Sequence, residues 1–130
     1  MIIEQKTAVV IDDEEDITTF LSSILEDNGF TVRTANDAKT GEDLVRANQP
    51  SIVLIDLMMP GRSGVQLFAR LRGDSATSEI PIVMVSSVKQ DPASLFPMAG
   101  ELSMVTPDAY FTKPLDIPKF LACVRRMLGN

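Results

Sequence analysis

Apolar residues follow two rhythms along this chain. The first is a set of short, nearly unbroken aliphatic runs: Thr7-Ala8-Val9-Val10-Ile11, Ser51-Ile52-Val53-Leu54-Ile55 and Pro81-Ile82-Val83-Met84-Val85. Runs of this length, rich in β-branched residues and bounded by turn formers, predict strands covered on both faces, as in a parallel sheet. Phe30-Thr31-Val32-Arg33-Thr34 alternates instead and predicts a strand nearer the sheet edge. Ala109-Tyr110-Phe111-Thr112 supplies a fifth strand. The second rhythm has the helical period. Ile17, Phe20, Leu21, Ile24 and Leu25 make one apolar face, closed by Asn28-Gly29. Asn36 is the expected N-cap of a helix through about Asn48, carrying Ala38, Leu44, Val45 and Ala47, although Gly41 weakens it. Val65, Phe68 and Leu71 mark a short helix ended by Gly73. Ile117, Phe120, Leu121, Val124 and Leu128 form the face of a last helix, with Asp116 as cap and Pro118 in its tolerant first turn.

Strand and helix therefore alternate along the whole chain. That order implies a parallel sheet with helices on both faces. Right-handed crossovers leave few topologies. One segment breaks the rhythm. Between residues 89 and 108, Pro97 and Gly100 interrupt any helix, and Leu95, Phe96, Met98, Leu102, Met104 and Val105 hold no single stripe across Pro97. A broken or short helix within an irregular, mobile segment is expected there. The chain has 130 residues, and the expectation is one domain spanning 1–130 with a single core region.

Composition narrows the chemistry. Lys plus Arg number 12 against 18 Asp plus Glu, for a net charge of −6. Direct binding to nucleic acid, which wants a basic patch, is not expected. There is no histidine, which excludes a His-based triad, a His-ligated metal and a His general base. The single cysteine, Cys123, excludes an intrachain disulfide and a multi-cysteine zinc site, and reads as a small packing residue of the last helix. No apolar run of about 18 residues and no signal-peptide pattern are present, so a cytoplasmic, non-membrane protein is the default expectation.

The informative residues sit where strands end. Asp12 and Asp13 follow the first strand and open an acidic run through Asp16. Asp56 follows the third strand, ahead of Leu57-Met58-Met59-Pro60-Gly61. Ser86 follows the fourth and Lys113-Pro114 the fifth. In open α/β sheets, ligands bind outside the carboxyl ends of the strands. Taken singly, Asp56 reads equally well as a turn residue before Pro-Gly, and the acidic run as a solvated helix start. Taken together, the carboxylates repel one another unless a cation joins them. An all-oxygen set favours magnesium, manganese or calcium over zinc, and a lysine opposite can pair with a carboxylate or a phosphate. This is equipment for phosphoryl transfer, and a carboxylate can itself be the nucleophile.

Asp12-Asp13, the Asp56-Leu57-Met58-Met59-Pro60-Gly61 stretch, Ser86 and Lys113-Pro114 together resemble the receiver domains of two-component response regulators. The likeness covers nearly the whole chain, and the full set at these strand ends is specific although each motif alone is weak. It implies a flavodoxin-like, doubly wound five-stranded parallel sheet of order 2-1-3-4-5 with helices on both faces. It also implies magnesium-dependent phosphoryl acceptance on Asp56 from a histidine kinase or a histidine phosphotransfer protein. In that likeness Asp13 and Asp56 bind magnesium through side chains, Met58 through its backbone carbonyl and Asp12 mainly through water. Lys113 contacts the phosphoryl group, Ser86 is the switch hydroxyl and Tyr110 the aromatic that changes rotamer with it. Lys113-Pro114 carries a cis bond. The segment 89–108, the last strand and the last helix form the face that docks a downstream protein target. Such a protein is a switch rather than a turnover enzyme.

Alternatives and departures are equally legible. Ser86 reads also as a plain strand end, and Tyr110 as packing with its hydroxyl in water. A magnesium-dependent phosphatase of small phosphate esters with an aspartyl-phosphate intermediate is the alternative function. It wants a second acid two residues after the nucleophile, where Met58 stands. A flavin carrier shares the fold but needs a phosphate-cradling loop after the first strand, and the acidic run there repels phosphate. Gly61 and Gly64 are turn glycines, since no G-x-G-x-x-G is present. The stretch from Ser86 to Lys113 is longer than the family pattern and lacks its Ala-Gly-Ala-rich lead into the last strand. The chain is either a stand-alone receiver or a domain of a longer hybrid kinase or regulator.

Overall fold

The computed structural model describes residues 6–57, 59–60, 63–86 and 107–129. Five parallel strands lie in the order β2-β1-β3-β4-β5, with β1 Lys6–Ile11, β2 Phe30–Ala35, β3 Ile52–Ile55, β4 Ile82–Ser86 and β5 Ala109–Thr112. Helices α1 Glu15–Glu26, α2 Ala38–Asn48, α3 Ser63–Gly73 and α4 Ile117–Met127 join or follow them. This is the flavodoxin-like order that the resemblance implied, with β2 at an edge as its alternating pattern predicted.

Strand parity decides which helix meets which side chain. Ala8, Val10, Ile52, Leu54, Val83 and Val85 face α1 and α4, where Leu21, Leu25, Phe120 and Val124 complete one buried cluster. The intervening residues Val9, Ile11, Val53, Ile55, Ile82 and Met84 face α2 and α3, where Val45, Leu67, Phe68 and Leu71 complete a second. Successive side chains on a strand point to opposite faces, so a strand coated on both sides must be apolar at every position. Phe120 packs edge-on against Phe111 at 5.7 Å between ring centroids, a favoured aromatic geometry. Leu67 belongs to this core as fully as Phe68 and Leu71, although the short sequence stripe did not include it.

Helix ends follow local chemistry, with one correction. The N-cap of α2 is Asp37, whose carboxylate accepts from the Thr40 N–H at 2.7 Å. Asn36, the expected cap, instead sends its side-chain amide to the Asp12 carbonyl at 2.8 Å. Either side chain can accept at an N-cap, and here the Asn36 amide's donor finds a carbonyl across the loop. Asp116 caps α4 as expected, accepting from the Lys119 N–H at 3.1 Å. Glu15 and Asp16 occupy the first turn of α1, at the positive end of its dipole. Gly29 takes a φ of 92°, a left-handed value suited to glycine after a helix.

Ion pairs clasp α2 to α3. Glu42 receives Arg46 at 3.0 Å and Arg70 at 2.9 Å, and Arg46 also reaches Asp74 at 2.6 Å. Partial burial pushes the Glu42 carboxyl up, but the bonds from Arg70 and Arg46 outweigh it and hold the group below its ordinary value. At the amino edge of the sheet, Arg72 pairs with Asp108, and the same carboxylate accepts from the Ile82 N–H at 2.8 Å. The segment expected to be a broken helix lies outside the described residues, apart from Pro107 and Asp108. Among the described residues, no helix is long and apolar enough to cross a membrane.

Gly41 has a packing role that helix propensity alone did not reveal. A Cβ there would stand 2.6, 2.7 and 2.9 Å from three side-chain carbons of Ile11. The missing methyl lets α2 settle onto β1. Alanine is favoured over glycine inside a helix by about 1 kcal/mol. Overpacking a closed core costs about 1–3 kcal/mol. Gly41→Ala is therefore expected to be destabilising, seen as a lower denaturant midpoint with an unchanged slope. A raised midpoint would mean that Ile11 can yield.

Candidate functional site

Parallel strands bring their carboxyl ends to one edge of the sheet. β1 runs out into Asp12 and Asp13, β3 into Asp56, β4 ends on Ser86, and β5 passes through Thr112 to Lys113. The order β1-β3-β4-β5 makes these residues neighbours although they span a hundred positions of sequence. Carboxylate oxygens of Asp12, Asp13 and Asp56 lie within 4.8 Å of one another. Asp12 and Asp56 are buried, at 1% and 6% exposure, whereas Asp13 faces solvent.

Asp12 survives burial because each of its polar atoms has a partner. Its N–H donates to Ala35 O at 3.1 Å, and its carbonyl accepts from Asn36. Oδ1 accepts from the Glu14 N–H at 2.9 Å, and Oδ2 accepts from Lys113 Nζ at 2.9 Å. The backbone of Asp56 is fixed by its N–H donating to Ile11 O at 2.9 Å. Lys113 Nζ stands 3.9 Å from Asp56 Oδ2, so it bridges the two buried acids. Burial acts to lower the Lys113 ammonium, but the bond to Asp12 and the charges of Asp56, Asp12 and Glu14 outweigh it and raise the pKa above its ordinary 10.5. Lys113-Pro114 is cis, as the resemblance implied.

One ammonium cannot neutralise three carboxylates. The residual negative charge and the all-oxygen donor set fit a divalent, oxygen-preferring ion such as magnesium better than a soft metal. Met58, whose backbone carbonyl was expected to join that set, lies outside the described residues, as do Gly61 and most of the segment 89–108.

Ser86 is fully buried, and Tyr110 is half-buried against the cluster that includes Phe68 and Met84. The two hydroxyls share a hydrogen bond. Burial raises the phenol above its ordinary value, as does the charge of Asp56, against the lowering effect of the Ser86 bond. Tyr110 pairs with Met84 in the ladder and Thr112 with Ser86, which sets both residues beside the acidic edge.

Gly64 completes the geometry. A Cβ there would fall 2.1 Å from the Asp56 carbonyl and 2.8 Å from that of Leu57. Backbone cannot give way as a side chain can, so the first turn of α3 is built directly against the loop that carries Asp56. The sequence offered Gly64 only as a turn residue. Its close approach depends on a crossing that no local pattern encodes.

The chain matches the family model of the response regulator receiver domain over residues 8–125. It is 34% identical over 122 residues to the DNA-binding dual master transcriptional regulator RpaA of Synechocystis, covering 92% of this chain and 48% of that protein. It is 26% identical over 129 residues to the polar-differentiation response regulator DivK of Brucella anthropi, covering 96% of this chain and 98% of that one. Among solved structures, the receiver domain of the Francisella response regulator 1452 superposes with a TM-score of 0.78 at 26% identity, over 95% of this chain and 97% of that one. This chain thus spans about half the length of RpaA and nearly all of DivK.

Removing the ammonium leaves buried Asp12 without its counter-charge. Lys113→Ala is expected to destabilise the fold by about 3 kcal/mol at neutral pH, the scale for stripping one partner from a buried pair. Because the lysine's folded pKa is raised, its contribution is complete below the ordinary 10.5 and fades as pH rises through the higher folded value. Wild type and variant should therefore converge in strong alkali. Equal denaturant midpoints at pH 7 would show that water serves Asp12 as well.

Proposed function

The chain belongs to the response regulator receiver domains of two-component systems, and from that premise we propose that it is a magnesium-dependent phosphoacceptor switch with Asp56 as acceptor. The observation that carries this reading is the convergence of three carboxylates beside one bridging lysine at the carboxyl edge of the sheet. The proposed unit spans 1–130 and acts as a switch rather than a turnover enzyme.

Chemistry follows from placement. A carboxylate oxygen of Asp56 attacks the phosphorus of a phosphohistidine on a histidine kinase or a histidine phosphotransfer protein. The P–N bond breaks as the P–O bond forms, and the electron pair returns to the imidazole nitrogen, giving an aspartyl phosphate. Asp13 and Asp56 would hold magnesium, or manganese, through side chains, with the Met58 carbonyl, and Asp12 would contribute mainly through water. When bound, the ion supplies charge neutralisation for the phosphoryl oxygens. Asp13, the exposed member, is open to solvent for such a ligand.

Lys113 already lies between the two buried acids, within a short reach of any oxygen attached to Asp56. As a compact point charge it would meet the phosphoryl group. Ser86 would turn its hydroxyl to another phosphoryl oxygen, and the bond it shares with Tyr110 couples that turn to the aromatic ring. The output face would comprise the segment 89–108, β5 and α4, recognised by a downstream protein. RpaA carries its description as a DNA-binding regulator over roughly twice the length of this chain. The net charge of −6 favours a protein target here over nucleic acid, and a cytoplasmic setting suits the proposed partners.

Incubation with acetyl phosphate and magnesium should add one hydroxylamine-labile phosphoryl group per chain. Asp56→Asn, similar in shape but not nucleophilic, should remain folded and unlabelled. Equal labelling of that variant would place the acceptor elsewhere.

Magnesium should also stabilise the unphosphorylated protein in proportion to ln(1 + [L]/Kd), with an effect visible at millimolar concentrations, an order of magnitude typical of open oxygen sites. Asp13→Ala should abolish that dependence. A wild-type melting temperature indifferent to magnesium would reduce the acidic edge to a solvated loop.

A further inference from the structure

The route by which Asp12 is held in place points to a residue outside the acidic cluster. Asp12 is the most buried of the three acids, and two of its four polar atoms are fixed from the end of β2 and the residue that follows it. Its N–H reaches Ala35 O at 3.1 Å, a bond that continues the β1–β2 ladder by one step. Its carbonyl receives the Asn36 side-chain amide at 2.8 Å, which is not a ladder bond and exists only because residue 36 is an asparagine. The same Nδ2 lies 3.5 Å from Thr18 Oγ1, and Thr18 is buried on α1 with its hydroxyl donating to Glu15 O at 2.9 Å. One amide thus stands between the loop that carries Asp12 and Asp13 and the first turns of α1.

Asn36 is held firmly enough to do this. Directly after it, Asp37 caps α2 through Thr40, with Oδ1 on the backbone N–H and Oδ2 on the hydroxyl. Directly before it, Ala35 is buried and paired with Ile11. α2 in turn is seated on Ile11 through Gly41 and clasped to α3 by Glu42 and Arg46. The donor is therefore flanked on both sides by anchored backbone, as suits a positioning group.

We propose that Asn36 is a positioning residue for magnesium: its amide, by fixing the Asp12 carbonyl, sets the path of the Asp12-Asp13 backbone and so holds both carboxylates in the arrangement the ion needs. The proposal rests on the phosphoacceptor reading above. Outer partners that orient a metal's ligands shift its affinity without touching the ion. Asn36 makes no contact with the phosphoryl group, so its effect should fall on magnesium affinity and not on the transfer step itself.

The test compares wild type, Asn36→Ala and Asp37→Ala at equal temperature and salt. Asp37→Ala loosens the start of α2 but keeps the Asn36 amide, and so reports any effect of a softened helix end. Magnesium affinity is read from backbone amide shifts of Asp13 and Glu14 during titration with magnesium chloride. Phosphorylation by acetyl phosphate is read at limiting and at saturating magnesium. For Asn36→Ala the expected result is a Kd raised about fivefold, the scale of one net hydrogen bond. Slow phosphorylation at limiting magnesium should recover to the wild-type rate at saturation. Asp37→Ala should lose thermal stability and keep the wild-type Kd. An unchanged Kd in Asn36→Ala, or the same rise in both variants, overturns the positioning role. A wild-type protein that neither binds magnesium nor becomes phosphorylated overturns the phosphoacceptor reading, and the positioning role with it.

Discussion

Like charges forced together at the end of a sheet are the constraint around which this molecule is built. Asp12 and Asp56 are buried side by side, and a pair of buried carboxylates is costly unless each is met by donors. Lys113 answers from the last strand and the Glu14 N–H from the loop, while Asn36 holds the Asp12 backbone carbonyl. The lysine reaches both acids only if β5 lies beside β4 in the right register, which the ladder from Val83–Ala109 to Ser86–Thr112 ensures. Packing and electrostatics are therefore not separable here. The two apolar clusters hold the strands, and the strands hold charges that would otherwise disperse.

Much of this was written in local pattern. Uninterrupted runs such as Ile52-Val53-Leu54-Ile55 announced strands buried on both sides, and the alternating Phe30–Ala35 run announced an edge. The strand-end residues were legible because a parallel sheet gathers carboxyl ends by topology, whatever their distance in sequence. Side-chain direction was less legible. Asn36 and Asp37 are both good caps, and only the position of the Asp12 carbonyl decided which of them caps the helix. The glycines were the least legible of all. Gly41 and Gly64 carry no conformational signal in their neighbours; their need is for absent volume beside Ile11 and beside the Asp56 carbonyl. Such a need arises from two segments meeting, and a one-dimensional pattern does not record it.

Packing joins the helices to the sheet on both faces, and polar contacts add to it. α2 meets the sheet through Gly41 and Val45, with Ala38 and Leu44 packed beside them, and meets the α3 end through the ion pairs of Glu42 and Arg46. On the other face, α1 and α4 meet the sheet through aliphatic and aromatic packing, with Asn28 linking them at the far end by accepting from Arg125 at 3.2 Å. Among the described residues, the ion pairs that join one helix region to another lie on the α2–α3 side.

The division of side chains by strand parity bears on how such a chain can vary in length. Asp56 stands one residue beyond Ile55, and Asp12 one beyond Ile11, each at a fixed count from the alternation that fills both cores. A single residue gained or lost inside β1 or β3 would exchange the two faces along the rest of that strand and carry its carboxylate away from the others. The connections at the opposite edge, such as Asp27–Gly29 and Gln49–Ser51, lead into strands from the side away from the acids. Those turns are the natural places for new termini or grafted segments, since a change of length there is absorbed before the counting begins.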